Sequence, residues 1–325
     1  MSARDLGGPL LASVSRSFYL TIRILPAALR APIGLAYLLA RASDTIADTA
    51  DAPPALRLGH LAAFGQMIAT GTRDGLPALQ RELRAAHPGE AELLARLGEA
   101  LDWLAALPAA DRAEIAAVLA QIIRGQSLDL ERFADPAQIT ALPDAAALDE
   151  YTYLVAGCVG EFWTRLCLRH LPRYATLPAP ELTRLGIRYG QGLQLVNILR
   201  DAPADLRAGR CYLPADELRA AGADPSTLLT APQPARPVFD HWLTRAEAHL
   251  GDGRRYLRAL RPARLRVGCF LPWHLGVKTL ALLRAQSPLE TGARLKVSRS
   301  TVRAALLLAV PVAFSNLPLR DRPPE

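Results

Sequence analysis

Lysine is almost missing from this chain: Lys278 and Lys296 are the only two among 38 basic residues in a total of 325. The formal charge of +7 is therefore arginine charge, scattered along the chain and mixed with acids. No basic run is interleaved with aromatics, which argues against a nucleic-acid partner; an anionic substrate or a membrane surface accounts for the surplus as well. Cysteine is scarce too. Cys158, Cys167, Cys211 and Cys269 form no CxxC pair and no zinc-ligand set. Their apolar neighbours predict buried, reduced thiols and a cytoplasmic protein. Aromatics make up 6% of the chain, and the strand-favouring residues as a group are sparse. Residues 1–14 lack the basic start and apolar core of a signal peptide. No apolar run reaches the roughly 18–20 residues that span a bilayer. The best candidate, Ala304 to Phe314, is too short and contains Pro311. It reads as a last core helix, with peripheral contact at the inner face of a membrane left open.

What is present is helix. Half the residues are hydrophobic, alanine and leucine lead, and strand-like alternation is lacking. Pro32 sits where a helix can start and opens an apolar run to about Asp48. Further helical stretches cover about 54–70, 89–106, 109–126, 145–171, 179–202, 238–258, 264–286 and 298–312, with breakers such as Pro53-Pro54, Pro108, Pro172 and Pro178 between them. The segment 206–237 is rich in Gly, Pro and Ala and reads as a long loop with short helical pieces. With neither a flexible linker nor a fixed-period repeat, one all-α domain over 1–325 is expected, with 1–12 and 317–325 as frayed ends.

Two stretches interrupt the apolar pattern in the same way. Tyr37, Arg41, Asp44 and Asp48 follow one another at offsets 0, 4, 7 and 11, and Gln194, Asn197, Asp201 and Asp205 at offsets 0, 3, 7 and 11. At about 3.6 residues per turn each set lies along one stripe of a helix whose other faces are apolar. Two carboxylates one turn apart repel, and burying them unpartnered costs several kcal/mol. Divalent cations relieve that cost, and carboxylates on facing helices would hold Mg²⁺ and, through it, a phosphate-rich substrate. The bland alternative is a pair of solvated faces or helix-end acids. One DxxxD is common by chance; two matched stripes are not.

Arginine supplies the complementary group, since its planar fork binds phosphate oxygens. Arg41 and Arg200 adjoin the acids, Arg210 follows in Gly209-Arg210-Cys211-Tyr212, and Arg16 lies in Ser15-Arg16-Ser17-Phe18-Tyr19. Any one of these alone reads as a surface ion-pair partner. Metal-holding carboxylates, phosphate-holding arginines and apolar helix walls together describe ionisation of an allylic diphosphate, with the carbocation shielded from water.

These residues also resemble a family. Ser15-Arg16-Ser17-Phe18 with Leu25-Pro26, the Tyr37/Arg41/Asp44/Asp48 set, Tyr151-xxx-Val155-Ala156-Gly157-x-Val159-Gly160, and Gln194-xx-Asn197-Ile198-xx-Asp201-xxx-Asp205 with Gly209-Arg210 are similar to the squalene/phytoene synthases, over about residues 13 to 303. Asp44-Thr45-Ile46-Ala47-Asp48 is closer to the squalene synthase form than to the phytoene synthase form. The resemblance implies an all-α isoprenoid-synthase bundle around a central cavity. It implies head-to-head coupling of two farnesyl diphosphates to presqualene diphosphate, then reduction by NADPH to squalene. By the same resemblance Asp44, Asp48, Asn197, Asp201 and Asp205 would hold Mg²⁺, Asp44 and Asp201 acting directly in catalysis. Ser15, Arg16, Ser17, Arg41, Gln194, Arg200 and Arg210 would hold diphosphate. Tyr151 matches a tyrosine proposed for proton handling, with Tyr37 near the same cation; each tyrosine alone reads as core. Lys296 and Arg299, in Lys296-Val297-Ser298-Arg299, resemble a basic motif near the NADPH site. Gln126 and Asp129 line the pocket or serve helix packing.

Three departures from the family pattern bear on these expectations. Ala47 and Ala204 stand where eukaryotic squalene synthases often carry acids. Pro203, inside the second pair, predicts that the helix ends or kinks there, leaving the aim of Asp205 open. Gly268 takes the place of a cation-stabilising phenylalanine, with Phe270 two residues on. Other readings are a non-reductive synthase yielding presqualene diphosphate, dehydrosqualene or phytoene, a non-catalytic assembly or binding protein, and a terpene cyclase acting on one diphosphate.

Overall fold

The computed structural model describes residues 5–15, 17–49 and 51–315. Among these residues the all-α expectation holds. Eight helices of 13 residues or more carry the fold: α1 (Ala27–Asp48), α2 (Pro54–Thr70), α3 (Ala109–Arg132), α4 (Cys158–His170), α5 (Ala179–Arg207), α6 (Arg236–Ala259), α7 (Ala263–Ala285) and α8 (Arg299–Phe314). The chain divides into two compact units, Met1–Ala134 with Arg165–His170, and Asp135–Thr164 with Leu171–Glu325.

In the first unit α1 packs against α2, α3 and the shorter helices Pro88–Ala95 and Leu97–Ala106. The contact is apolar and helical in period: Leu35, Leu38, Leu39, Ala42 and Ile46 of α1 are buried, as are Ile115, Val118, Leu119 and Ile122 of α3. Two expectations are corrected here. α1 begins at Ala27 behind Pro26, with Pro32 buried inside it, so the helix accepts the loss of one backbone bond in exchange for five earlier residues. The amino-terminal stretch expected to fray is helical over Leu6–Leu10 and Leu11–Ser15, because Leu6, Leu10 and Leu11 bury themselves in this unit. The expected frayed tail 317–325 lies outside the described residues.

In the second unit α5 packs against α6, α7 and the wide-turned segment Tyr153–Gly157 that leads into α4. Glycine sets that approach. A Cβ at Gly160 would stand 2.0 Å from the Gly186 carbonyl oxygen, and one at Gly190 would stand 2.3 Å from that of Ala156. The Val155-Ala156-Gly157-x-Val159-Gly160 motif is thus explained by backbone contact with α5. α5 also corrects the expectation at Pro203, running unbroken to Arg207 with Pro203 buried within it. Beyond it Gly209 turns the chain with φ +79°, and a Cβ there would lie 2.9 Å from the Pro136 oxygen. A short parallel pair follows, β1 (Thr140–Leu142) with β2 (Arg210–Pro214), in register Thr140 to Arg210 and Ala141 to Cys211. Strands of three and five residues are too short to show alternation in sequence. All four cysteines are buried and stand outside any disulfide, and burial pushes the Cys158, Cys211 and Cys269 thiols up to about 12, as expected of inert core thiols.

Candidate functional site: two arginine-flanked aspartate pairs

Both pairs sit in the last turns of long helices, since α1 ends at Asp48 and α5 at Arg207. That position decides against reading them as stabilising helix-end acids. The macrodipole favours acids at the amino end and disfavours them at the carboxyl end. A carboxylate pair kept at the unfavourable end of each helix needs a compensating cation.

In the first unit the stripe forms as the spacing predicts. The Tyr37 hydroxyl donates to the Val14 carbonyl at 3.3 Å, and the Arg41 guanidinium donates to the Tyr37 oxygen at 3.3 Å while lying over its ring. Phe18 also packs on Tyr37, with ring centres 5.0 Å apart. Arg41 stands 3.8 Å from Asp44 and 3.9 Å from Glu90, so two carboxylates share one loosely placed cation. The tighter contact on Asp44 is neutral: Gln126 of α3 donates its amide to Oδ1 at 2.6 Å. Burial pushes the Asp44 carboxyl up to about 6; Arg41 pulls it back, the Asp48 charge adds to the rise, Gln126 lowers it and Glu90 raises it. The side chain nevertheless keeps 45% of its surface open, so protein crowds the carboxylate on most sides and solvent reaches it from one. Asp48 is exposed one turn further on, and Arg57 caps the helix end by donating to the Ala47 carbonyl at 2.7 Å.

The second unit solves the same problem with guanidinium. Arg200 grips Asp201 with two parallel bonds, Nε to Oδ1 at 2.9 Å and a terminal nitrogen to Oδ2 at 2.6 Å. Arg294 adds a third contact, Nε to Oδ1 at 2.5 Å. Arg210, at the start of β2, donates to Asp205 at 2.9 Å. Burial raises the Asp205 carboxyl above its ordinary value, Arg210 opposes the rise and the Asp201 charge adds to it. Asn197 and Gln194 are neighbours on the same stripe, 3.5 Å apart. Tyr151 is buried, stacked on Tyr212 with ring centres 4.8 Å apart, and its hydroxyl donates to that of Tyr212 at 3.4 Å. Tyr212 is two residues from Arg210, so β2 serves both the tyrosine pair and the Asp205 contact.

The remaining expected residues fall elsewhere. Ser15 is buried and its hydroxyl donates to the Leu11 carbonyl of its own helix. Ser17 opens the helix Ser17–Ile24, and Arg16 lies outside the described residues. Lys296 and Arg299 are exposed, Arg299 being the first residue of α8. Phe270 is a core residue against Trp273 and His274, with ring centres 6.0 and 5.2 Å away. Glu90 and Arg294 escaped sequence reasoning. Arg294 lies two residues before the Lys296 motif, which was the available signal.

Among the described residues no group of three or more His, Cys, Asp or Glu is placed to hold a metal ion by itself. The donor set still fits Mg²⁺, which takes hard oxygen ligands and is commonly bound by one or two carboxylates with water and substrate phosphate completing the shell. Asp44 with Asp48, and Asp201 with Asp205, each offer that number.

The family model for squalene/phytoene synthase matches residues 11–301. The presqualene diphosphate synthase of Rhodopseudomonas palustris is 33% identical over 210 residues, 65% of this chain and 62% of that protein. The squalene synthase of Eremothecium gossypii is 27% identical over 286 residues, 84% of this chain and 60% of that protein. The chain thus spans about three fifths of the length of these two curated relatives. In fold it is similar to TcSQS in a ligand complex, at a TM-score of 0.77 and 21% identity, covering 96% of this chain and 87% of that one. The chain belongs to the squalene/phytoene synthase family.

Proposed function

We propose that the chain couples two molecules of farnesyl diphosphate head to head, with Mg²⁺, to presqualene diphosphate, and reduces that product with NADPH to squalene. The observation that carries the reading is the pair of arginine-flanked aspartate stripes, each at the disfavoured end of an apolar helix. Mg²⁺ on these carboxylates supplies positive charge against which diphosphate departs. Arg41 in the first unit, and Arg200 and Arg210 in the second, each suit diphosphate oxygens by their planar forks. The C1–O bond of one substrate breaks, the electron pair leaves with diphosphate, and the double bond of the second substrate attacks the allylic cation. Loss of a proton closes the cyclopropane, with the Tyr151–Tyr212 hydroxyl pair passing it on to the released diphosphate, the anion that accepts it. Lys296 and Arg299 suit the phosphates of NADPH in charge.

A second reading ends before reduction, and a specific observation favours it: Gly268 offers no aromatic ring, and Phe270 is committed to the core. Incubation of the protein with farnesyl diphosphate and Mg²⁺, with and without NADPH, separates the two by mass spectrometry of the products. Squalene formed only with NADPH supports the full reaction. The same product in both samples overturns the reductive step. Unconsumed farnesyl diphosphate in both overturns the coupling and leaves an assembly or binding role.

A further inference from the structure

We infer that the outer face of α8 is a docking surface for an anionic lipid bilayer. The inference does not depend on the coupling reaction proposed above, although it shares Lys296 and Arg299 with the proposed NADPH contact. α8 runs for 16 residues and has two apolar faces. The inner stripe, Ala305, Ala309 and Val312, is buried against α7, and Arg266 of α7 donates to the Ala313 carbonyl, which fixes the end of the helix. The opposite stripe, Arg303, Leu307, Val310 and Phe314, recurs at i, i+4, i+7 and i+11 and points away from the core. Leu307 is 75% exposed, Val310 62%, Phe314 83% and the adjoining Leu306 52%.

A helix that packs one face on a core normally turns charge toward water. Here six of the twelve exposed large apolar side chains among the described residues lie on this one helix. Scattered surface leucines need no explanation; a continuous stripe does. Charge identifies the occupant. From Gly292 to Ser315 the sequence holds no acid and four cations, of which Arg294 is engaged by Asp201 and Lys296, Arg299 and Arg303 are exposed. A second copy docked on this face would bring the same cations to the contact with no acid of the segment to answer them. Anionic headgroups complement that basic end, while Leu307, Val310 and Phe314 reach the acyl boundary. The helix would lie in the interface plane, since among the described residues no helix is long and apolar enough to cross a membrane.

Flotation of the full chain with vesicles of phosphatidylcholine and phosphatidylglycerol, beside vesicles of phosphatidylcholine alone, tests the inference. The expected result is flotation with the anionic vesicles and little with the neutral ones. Leu307→Ser with Phe314→Ser should cut it at least tenfold without shifting the heat-denaturation curve, since both side chains are exposed. Arg303→Gln should weaken it by about fivefold, the effect of roughly one lipid-facing cation. No flotation with either vesicle, or equal flotation of wild type and the double variant, overturns the inference. A concentration-dependent dimer in light scattering that the double variant dissolves overturns it too, and gives the face to a second copy.

Discussion

Asp44 and Asp201 occupy matching places, each the first acid of a pair at the carboxyl end of an apolar helix, yet their charges are met in different ways. Asp44 has a neutral donor, Gln126, at 2.6 Å and its arginine only at 3.8 Å. Asp201 is held by two guanidiniums through three contacts of 2.9 Å or less. Asp44 therefore carries its charge less comfortably than an ordinary carboxylate and binds a proton at higher pH, whereas Asp201 meets two guanidiniums at close range. One chain uses two physical answers to the same repulsion. At the proposed Mg²⁺ site the first pair would gain more from the ion, and the second would have to release arginine to receive it.

The largest expected effect erases the difference. On the proposed reaction, Asp44→Asn and Asp201→Asn should each lower turnover of farnesyl diphosphate at saturating Mg²⁺ by about a thousandfold or more, because each would remove a proposed ligand of the ion that counters the leaving charge. Steady-state assays of the two variants check this. A variant with near-normal turnover would remove that carboxylate from the metal site.

The same two substitutions should part company in stability measured without metal. The folded Asp44 carboxyl titrates near 6 against an ordinary 3.8, so its folded value is raised. Its contribution to stability is then fully present below the unfolded value and is lost as pH rises through 6. Metal-free Asp44→Asn should accordingly melt higher than wild type at pH 7.5, by about 1 kcal/mol once solvent screening of this half-open side chain is allowed for. That advantage should shrink steadily toward pH 4. Asp201→Asn should melt lower by a similar amount, on the order of 1 kcal/mol, since it strands Arg200 and Arg294. Differential melting curves with chelator present read both signs. Equal signs would mean that the two pairs are not neutralised differently.

How much of this was legible in the sequence follows from the range of each interaction. The stripes were visible because short acids on apolar helices are anomalous within a dozen residues, and both appear on α1 and α5 as spaced. The α2 boundaries, Pro54–Thr70, coincide with the expected ones because proline and glycine mark both ends. Gln126 as the partner of Asp44 is a contact between residues 82 apart, so the sequence left it open between pocket and packing. Arg294 was hidden by the same kind of distance. The glycine motif near Tyr151 was recognised as a pattern, but its physical cause lies in Gly186 and Gly190 on another helix. Local rules failed where tertiary packing outweighed them: at Leu6–Leu10, at Pro32 and at Pro203.

Pro203 gives the smallest expected effect and the sharpest test of the second pair. Its ring removes the backbone donor that would meet the Leu199 carbonyl, yet α5 continues to Arg207, held on its flanks by α6 and α7. The aim of Asp205 then depends on Arg210 at 2.9 Å and not on a bend at the proline. Pro203→Ala restores the donor and gives up a buried ring, two changes of about 1 kcal/mol and opposite sign. Melting temperature should stay within a few degrees, and the Mg²⁺ concentration for half-maximal turnover should stay within about twofold. Arg210→Ala, in contrast, should shift that Mg²⁺ concentration by about tenfold, since it leaves Asp205 without the cation that positions it. Titrating turnover against Mg²⁺ for both variants ranks the two causes. A larger shift in Pro203→Ala than in Arg210→Ala would mean that the proline, absent from the first pair, sets the geometry of the second.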